Sequence, residues 1–509
     1  ERLAQLLMVR IGSNLPPIKR VHEDEARVAA QLAECPFGGL LLFNGVWPDA
    51  RAALDRLQAA SPTPLLVASD IERGAGQQVA ALTLFPHQRA FVDLPDAAAA
   101  VERFCEITAR EARAAGIHVT FGPVADANTN PRNPIIATRA FGDDPAGAGR
   151  LAAAYVRAAE AAGLATCAKH FPGHGDTHQD SHDAMPRVDA PAEMLRQREL
   201  PPFREAIAAG VSMLMTAHVE YPALDPSGKP ATLSRPILVD LVRGELGFSG
   251  VVCSDSLLMA GVRDRFESEG ELALACLLAG VDLLLDVAEP AATVEALARA
   301  AAEGRLPAER IDEAFGRVWA LKTKALQASD PALPTDEELS AAGAESLRVA
   351  TDAIRVAARP DAAGWPLDPA TGVTCVVLKP HHRPTDPAEQ PLAAALRERF
   401  AEVAYFETGP EVSPTLADDI HRATPAGRPL VVAMIVKPAA WHAFGLTPDQ
   451  DALVQQLLRP ELLEGGQAVL ACLGVENALD PYASAGVRLV THSDVPASQH
   501  ALAARLVTG

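Results

Sequence analysis

The sequence predicts an α/β protein: a (β/α)₈ TIM-type barrel followed by a smaller α/β sandwich domain. Short apolar runs alternate with helix-like segments over residues 1–290. Most runs are followed at once by a polar side chain, and a second alternating block comes after a proline-rich linker. We expect the barrel over 1–325, a linker and connecting helix over 326–370, and the sandwich over 371–509.

The predicted barrel strands are short and mostly apolar. A strand of a parallel barrel is buried on both faces, so it is apolar along its length. Helix-like segments such as 96–115, 145–162 and 192–209 separate the runs, as a βα repeat requires. The eight predicted strands are 6–9, 38–43, 64–69, 117–121, 165–169, 212–216, 250–254 and 281–285.

Polar side chains stand just after these strands. The carboxyl ends of barrel strands and the loops that follow them form the active face, so residues far apart in sequence converge there. A single aspartate at a strand end could equally well cap the next helix. The inference therefore rests on the whole set, which is Asn44, Asp70, Asp126, His170, His218, Asp255 and Asp286.

The second block begins beyond the linker at 329–334. We expect a helix over 304–330 before the linker and another over 336–358 after it. The block has no residue cluster that indicates chemistry, so we expect a structural role for it. Its strand candidates are 373–378, 403–406, 430–435, 468–472 and 488–491.

Composition narrows the possible partners. The 509 residues carry a formal net charge of −20, and the sequence pI is about 5.2. Nucleic acid and anionic membrane surfaces require a basic face, so neither is expected as a partner. A neutral carbohydrate is compatible with this charge. No stretch reaches the ~18 apolar residues of a membrane helix, so no membrane span is expected.

The seven cysteines lie far apart, mostly in apolar runs. We expect them to be small core residues rather than a disulfide framework or a zinc site. Free cysteines and the lack of a signal-peptide pattern favour a cytoplasmic protein. We expect no cofactor, no metal, and a monomer or weak homodimer. The cysteines are Cys35, Cys105, Cys167, Cys253, Cys276, Cys375 and Cys472.

Residues 169–182 are the most informative segment, with the sequence KHFPGHGDTHQDSH. Charged and imidazole groups are costly to bury without partners, so this segment is expected as a loop at a working surface. Four histidines recur every four residues, which on a helix would make a one-faced metal site. Pro172, Gly173 and Gly175 argue against a helix, so we favour acid–base chemistry together with Asp255. The four histidines are His170, His174, His178 and His182.

This loop resembles the signature of glycoside hydrolase family 3, in particular of its β-N-acetylglucosaminidase branch. Residues 115–126 and 130–142 resemble the region of the family's third and fourth strands, and 250–261 resembles the nucleophile segment. There are two departures. In the family's Asp-Gln-Glu-Gly-Gly-Arg stretch, Asp70 and Glu72 keep their places here, but the glycines and the arginine are shifted within 70–77. Ser256 replaces a second aspartate that is often found beside the nucleophile.

The resemblance implies a retaining mechanism. Asp255 would be the nucleophile that forms a glycosyl-aspartate, and His182 would protonate the leaving oxygen and later deprotonate water. Asp180 would orient His182 and stabilise its imidazolium. A histidine suits this double role because it titrates near neutral pH, and a two-step displacement requires an ionised carboxylate.

The resemblance also implies the sugar contacts. Asp70, Arg139, Lys169 and His170 match residues that hydrogen-bond the hydroxyls of the terminal sugar. His218 is expected as a supporting or subsite residue, although a purely structural histidine explains it equally well. Asp126 is expected to have a structural role at the barrel mouth.

The leading hypothesis is an exo-acting β-N-acetylglucosaminidase that acts on peptidoglycan fragments or chitooligosaccharides. A β-glucosidase or xylosidase of the same family is an alternative, but that branch lacks the Asp-x-His dyad. A phosphorylase is another, because a histidine acid–base does not repel phosphate as a carboxylate would. A metal-dependent hydrolase and a non-catalytic sugar-binding protein are the remaining alternatives.

Overall fold

The structure is a computed structural model. It describes residues 1–178, 185–327, 330–358, 364–382, 386–438, 442–459, 467–483 and 485–509. These residues form two compact units. The first contains Glu1–Leu84 and Asp96–Ala342, and the second contains Phe85–Pro95 and Gly343–Gly509.

The first unit contains an eight-stranded parallel barrel. The strand order is β8-β1-β2-β3-β4-β5-β6-β7, and a parallel bridge between Cys253 and Leu283 joins the two ends. The predicted (β/α)₈ barrel is confirmed, and each observed strand overlaps one predicted run. The strands are β1 (Leu7–Ile11), β2 (Gly39–Leu42), β3 (Leu66–Ser69), β4 (Val119–Thr120), β5 (Ala165–Phe171), β6 (Met213–Thr216), β7 (Val251–Cys253) and β8 (Leu284–Leu285).

Burial explains why the barrel strands have this composition. Every residue of the eight strands is buried except Arg10, so apolar side chains fill both faces of the sheet. A short parallel pair, Gly45–Val46 with Val79–Ala80, lies outside this sheet. The lysine and histidine side chains within β5, Lys169 and His170, are buried as well. Buried charge of this kind requires partners, and these are described below.

Helices separate the strands. Helix α4 illustrates the local signals: Asp144 accepts hydrogen bonds from the amides of Ala146 and Gly147, and Pro145 occupies the first turn. The helices of this unit are α1 (Val21–Glu34), α2 (Asp49–Ala60), α3 (Ala97–Ala114), α4 (Pro145–Ala161), α5 (Ala192–Arg198), α6 (Leu200–Ala208), α7 (Ala260–Arg263), α8 (Glu269–Ala279), α9 (Pro290–Ala302) and α10 (Ala308–Gln327), with a π-helix at Pro236–Glu245. Helix α11 (Asp336–Asp352) begins in this unit and ends in the second.

The second unit is an α/β sandwich around a six-stranded sheet. The order is β9-β14-β13-β12-β10-β11, and all neighbours are parallel except β9 and β14. The strands are β9 (Arg355–Ala358), β10 (Val373–Leu378), β11 (Val403–Thr408), β12 (Leu430–Met434), β13 (Ala468–Cys472) and β14 (Val487–Val490). The helices are α12 (Pro391–Arg397), α13 (Leu416–Arg422), α14 (Pro448–Leu457) and α15 (Pro496–Thr508).

One predicted element was wrong at its end. The expected helix over 336–358 stops at Asp352, and Arg355–Ala358 is a strand instead. This strand pairs antiparallel with β14, and that pairing partner lies more than a hundred residues away. Long-range pairing therefore overrides the local helical pattern.

Two further expectations can be compared with the structure. All seven cysteines are buried free thiols. Within the described ranges no helix is long and apolar enough to cross a bilayer.

The two units divide between residues 342 and 343, inside helix α11.

Candidate active site

The predicted functional residues lie at the carboxyl ends of the barrel strands. Asp70 directly follows β3, Lys169 and His170 belong to the end of β5, and Asp255 follows β7 by two positions. The strands are parallel, so these ends open on one face of the barrel. This face is the candidate active site.

Lys169 is the centre of a charged cluster. Its Nζ lies 2.5 Å from Oδ1 of Asp70 and 2.7 Å from Oε1 of Glu72. Glu72 also accepts two hydrogen bonds from Arg139, from Nε at 3.0 Å and Nη2 at 2.8 Å. Two carboxylates thus balance two cations. Glu72 and Lys169 are buried, whereas the side chain of Asp70 is 29% exposed and can reach a ligand.

Mutual attraction keeps this cluster ionised. Burial opposes the charge of Glu72, but the neighbouring Arg139 and Lys169 hold its pKa well below the usual range. Burial likewise opposes the charge of Lys169, and the carboxylates of Asp70 and Glu72 raise its pKa above the usual value. The cluster is therefore a fixed array of charges that can hydrogen-bond a polar ligand.

Asp126 anchors the start of the histidine loop. Its buried carboxylate accepts hydrogen bonds from the backbone amide of His170 at 3.1 Å and from that of His174 at 2.6 Å. It also lies 2.8 Å from Nδ1 of His170. Burial alone would raise the pKa of Asp126, but the contacts with His170 and His174 lower it. Asp126 thus has the structural role that was expected, and it orients the ring of His170.

The loop beyond His170 is held by two asparagines. Asn133 Nδ2 donates to the carbonyl of His174 at 2.8 Å, and Asn130 Nδ2 donates to the carbonyl of Thr177 at 2.8 Å. The ring of His174 is buried, which lowers its pKa to about 4. Its Nδ1 lies 2.8 Å from Oγ1 of Thr177. His174 is therefore a neutral internal residue of the loop.

Asp255 sits in a turn that several side chains fix. Its Oδ1 accepts a hydrogen bond from the amide of Ser256 at 2.7 Å. Ser256 Oγ donates to Oδ2 of Asp286 at 2.6 Å, and Arg10 Nε donates to Oδ1 of the same aspartate at 2.8 Å. His218 Nε2 lies 3.0 Å from the carbonyl of Ser256. Asp255 itself is only partly buried, so its carboxylate is held in place by this turn and remains accessible in part.

The family follows from comparison with known proteins. Residues 1–321 match the glycosyl hydrolase family 3 N-terminal domain. The chain belongs to glycoside hydrolase family 3. The family 3 resemblance inferred from the histidine loop is thereby confirmed.

Similar proteins indicate which branch of family 3 the chain resembles. Beta-hexosaminidase A of Pseudoalteromonas piscicida is 40% identical over 240 residues, which is 43% of this chain and 40% of that protein. Beta-hexosaminidase of Pseudomonas aeruginosa (strain LESB58) is 37% identical over 287 residues, which is 56% of this chain and 85% of that protein. The chain thus matches less than half the length of the first relative and most of the second.

A solved structure extends the similarity to both units. The family 3 β-N-acetylglucosaminidase from Paenibacillus sp. str. FPU-7 has a TM-score of 0.86 and 30% identity, and the match covers 99% of this chain and 96% of that one. Together with the hexosaminidase relatives, this supports the predicted β-N-acetylglucosaminidase branch of family 3.

The structure brings some of the predicted site residues together, whereas others lie outside the described residues. Asp70, Arg139 and Lys169 share the cluster around Glu72, and His170 follows in the same strand. Asp180 and His182 lie outside the described residues. His218 is buried, and its Nδ1 lies 2.7 Å from Oγ1 of Thr232, so both ring nitrogens have protein partners. This geometry fits both a supporting residue and a purely structural histidine, and it leaves no ring nitrogen for a direct sugar contact.

The metal-site alternative finds no support in the described part of the chain, where no group of three or more potential ligands converges. His170 contacts Asp126, His174 contacts Thr177, and Nδ1 of His178 lies 3.0 Å from Nδ2 of Asn130. These three histidines therefore point to different protein partners.

Some functional contacts were missed from sequence. Glu72 was noted only as a residue that keeps its place after Asp70, and its link to Arg139 spans 67 positions. Asp286 was noted as a strand-end residue, but its bond to Ser256 was not foreseen. The spacing after Asp70 was an available signal for Glu72. No local signal reveals a contact made by side chains from different loops.

Proposed function

We propose that this family 3 chain is an exo-acting, retaining β-N-acetylglucosaminidase. It removes terminal N-acetylglucosamine from peptidoglycan fragments or chitooligosaccharides, and peptidoglycan recycling is the process it would serve. The observation that carries the proposal is the histidine loop with its Asp-x-His sequence, which starts from the charged cluster at the barrel mouth. The names of the hexosaminidase relatives support it.

Asp255 is the proposed nucleophile. The hydrogen bond from the Ser256 amide fixes the orientation of its carboxylate. Attack on the anomeric carbon would form a glycosyl-aspartate, which water then hydrolyses with net retention. His182, oriented by Asp180, is the proposed acid in the first step and base in the second. These two roles rest on the sequence resemblance.

The charged cluster is the proposed binding site for the sugar hydroxyls. A lysine ammonium has three N–H donors, and Asp70 and Glu72 take two of those on Lys169. The third is available to a hydroxyl, and the exposed edge of Asp70 can accept from the same or the next hydroxyl. Arg139 and His170 complete the proposed set.

Paired substrates test the proposal. Initial rates are measured on p-nitrophenyl β-N-acetylglucosaminide and p-nitrophenyl β-glucoside in phosphate-free buffer. We expect a strong preference for the N-acetyl sugar. A preference for the glucoside would overturn the proposed substrate and move the search for the acid–base to another residue.

Two additions separate the remaining alternatives. Proton NMR of the first product distinguishes retention from inversion, and we expect the β-anomer. Adding phosphate should leave the hydrolysis rate and product unchanged, whereas formation of a sugar phosphate would identify a phosphorylase. Asp255→Asn is the matched inactive control because it keeps the side-chain shape and removes the charge. Muropeptides and chitooligosaccharides are then compared as natural substrates.

A further inference from the structure

A buried carboxyl group that the proposed reaction does not use lies beneath the histidine loop. Glu199 stands between α5 and α6, and its side chain is fully buried. Its Oε1 accepts a hydrogen bond from Arg198 Nε at 2.8 Å. Its Oε2 is buried without a hydrogen-bond partner among the described residues. An unsatisfied buried oxygen costs free energy, so a compensating role is expected.

Glu199 is in close contact with the turn at Gly173. The backbone of Gly173 has a φ of +137°, which residues with side chains rarely adopt. A Cβ at this position would lie 2.7 Å from both Cβ and Oε2 of Glu199. From another direction, Tyr221 donates its hydroxyl hydrogen to the carbonyl of Gly173 at 2.5 Å. The turn is therefore held between Glu199 and Tyr221.

A second contact reaches further along the loop. Arg198, whose Nε binds Glu199, uses Nη2 to bind Oδ2 of Asp176 at 2.5 Å. Glu199 thus fixes the guanidinium, and the guanidinium fixes Asp176. Asp176 precedes the proposed dyad residue Asp180 by four positions. The loop is anchored at two points, 173 and 176, by one buried group.

We propose that Glu199 is a positioning residue for the proposed glycosidase reaction: with Arg198 it sets the path of the loop 171–178, from which the acid–base dyad continues. The inference rests on the proposed function, because it assigns to Glu199 the support of that acid–base. Glu199 acts through the loop and does not touch the sugar.

The charges around Glu199 agree with a supporting role. Burial raises its pKa to about 7; Asp126 and Asp176 add to the rise, and Arg198 opposes it. Tyr221 also faces this carboxyl, and its own pKa is raised by burial and by Glu199. At neutral pH the carboxyl is therefore only partly ionised, and its shape and its bond to Arg198 hold it in place. An amide of the same size should replace it well.

The test uses the dependence of rate on the leaving group. If the proposed general acid is displaced, kcat/KM should fall more for phenyl β-N-acetylglucosaminide than for the p-nitrophenyl glycoside. The reason is that p-nitrophenolate is a good leaving group and requires little protonation. For Glu199→Ala we expect a loss at least ~10-fold larger on the phenyl substrate, a fraction of the ~10²–10⁴ that general acid catalysis supplies. Glu199→Gln should restore most of it. Glu193→Gln, an exposed carboxyl on α5, is the matched control and should behave as wild type.

Equal losses on both substrates, or full activity of Glu199→Ala on both, would overturn the proposal. Circular dichroism and the melting temperature show whether Glu199→Ala folds. If it does not, Tyr221→Phe decides, since it removes only the hydroxyl that holds Gly173. It should show the same selective loss at smaller size, and an unselective loss or none would refute the role. If the wild type prefers glucosides, the proposed N-acetylglucosaminide substrate is wrong. The role of Glu199 is then tested by comparing the loss of kcat/KM on phenyl and p-nitrophenyl β-glucosides.

Discussion

Replacing Asp126 by alanine should loosen the barrel mouth by an amount that follows from its contacts. The buried carboxylate accepts from the amide of His170, from the ring Nδ1 of His170 and from the amide of His174. Removing the acceptor leaves three buried donors unpaired. The backbone on both sides of the Phe171 and Pro172 positions thereby loses its common anchor.

The size of the effect can be worked from these three donors. Each unsatisfied buried donor costs ~1–3 kcal/mol, so the three together cost ~3–6 kcal/mol after partial relaxation. This is a large share of the ~5–15 kcal/mol that stabilises a typical domain. Asp126→Asn keeps one acceptor oxygen and the side-chain volume, so it should cost roughly half as much.

Amide hydrogen exchange and urea unfolding test this prediction, because they report local protection and the free energy of unfolding. Peptides that cover residues 165–178 should lose protection in Asp126→Ala, and the unfolding transition of the first unit should move to lower urea. Peptides from β9–β14 serve as the internal control because they belong to the other unit. A loss below ~1 kcal/mol, with unchanged protection at 171–178, would refute the idea that Asp126 anchors the loop.

Four further outcomes are expected. Asp255→Ala should abolish turnover of p-nitrophenyl β-N-acetylglucosaminide in a rate assay, and near-normal activity would exclude it as the nucleophile. His182→Ala should slow aryl glycosides with poor leaving groups by ~10²–10⁴-fold and good ones much less; equal losses in kcat/KM would contradict the acid role. Glu72→Gln leaves Arg139 and Lys169 with Asp70 as their remaining carboxylate. Calorimetry should then show weaker binding of N-acetylglucosamine, and urea unfolding should show that the free energy of unfolding falls by ~3–5 kcal/mol; an unchanged affinity and stability would mean that the ion pairs of Glu72 are dispensable. Burial lowers the pKa of His118 to about 3 and of His174 to about 4, so below pH ~6.5 the unfolded chain binds protons that the folded chain does not. Stability should fall as the pH drops from ~6.5 towards 4, by about 3 kcal/mol for each of the two histidines and so by about 6 kcal/mol together; urea midpoints that are equal at pH ~7 and ~4.5 would contradict this.

The barrel was predictable because its signal is local. Each strand is buried on both faces, so an apolar run such as 250–254 identifies a strand without knowledge of its neighbours. The edge strand Arg355–Ala358 was missed because its pairing with β14 is long-range. The segment Phe85–Pro95 belongs with the second unit although it interrupts the barrel sequence. Its local sequence carries no indication of that association.

The site was predictable to the same extent. Asp70, Lys169 and Asp255 could be proposed as site residues because strand-end positions and motif spacing are sequence properties. The buried carboxyl groups around them were not found, because Glu72 binds Lys169 and Arg139, and Glu199 contacts Gly173, across different loops. A carboxyl next to an arginine, as in Arg198-Glu199, has the appearance of an ordinary surface ion pair in the sequence. Only its burial beneath Gly173 distinguishes it.

Burial divides the carboxylates of the barrel mouth into two functional groups. Glu72, Asp126 and Asp286 are nearly inaccessible, and arginine, lysine, histidine, serine or backbone donors of the same chain occupy their oxygens. Asp70 and Asp255 are the ones that remain partly exposed. The buried carboxylates can only orient the protein groups that bind them, since a sugar cannot reach them without displacing protein. Substitutions in that group should therefore change stability and substrate affinity, whereas in the proposed reaction Asp70 and Asp255 contact the sugar directly.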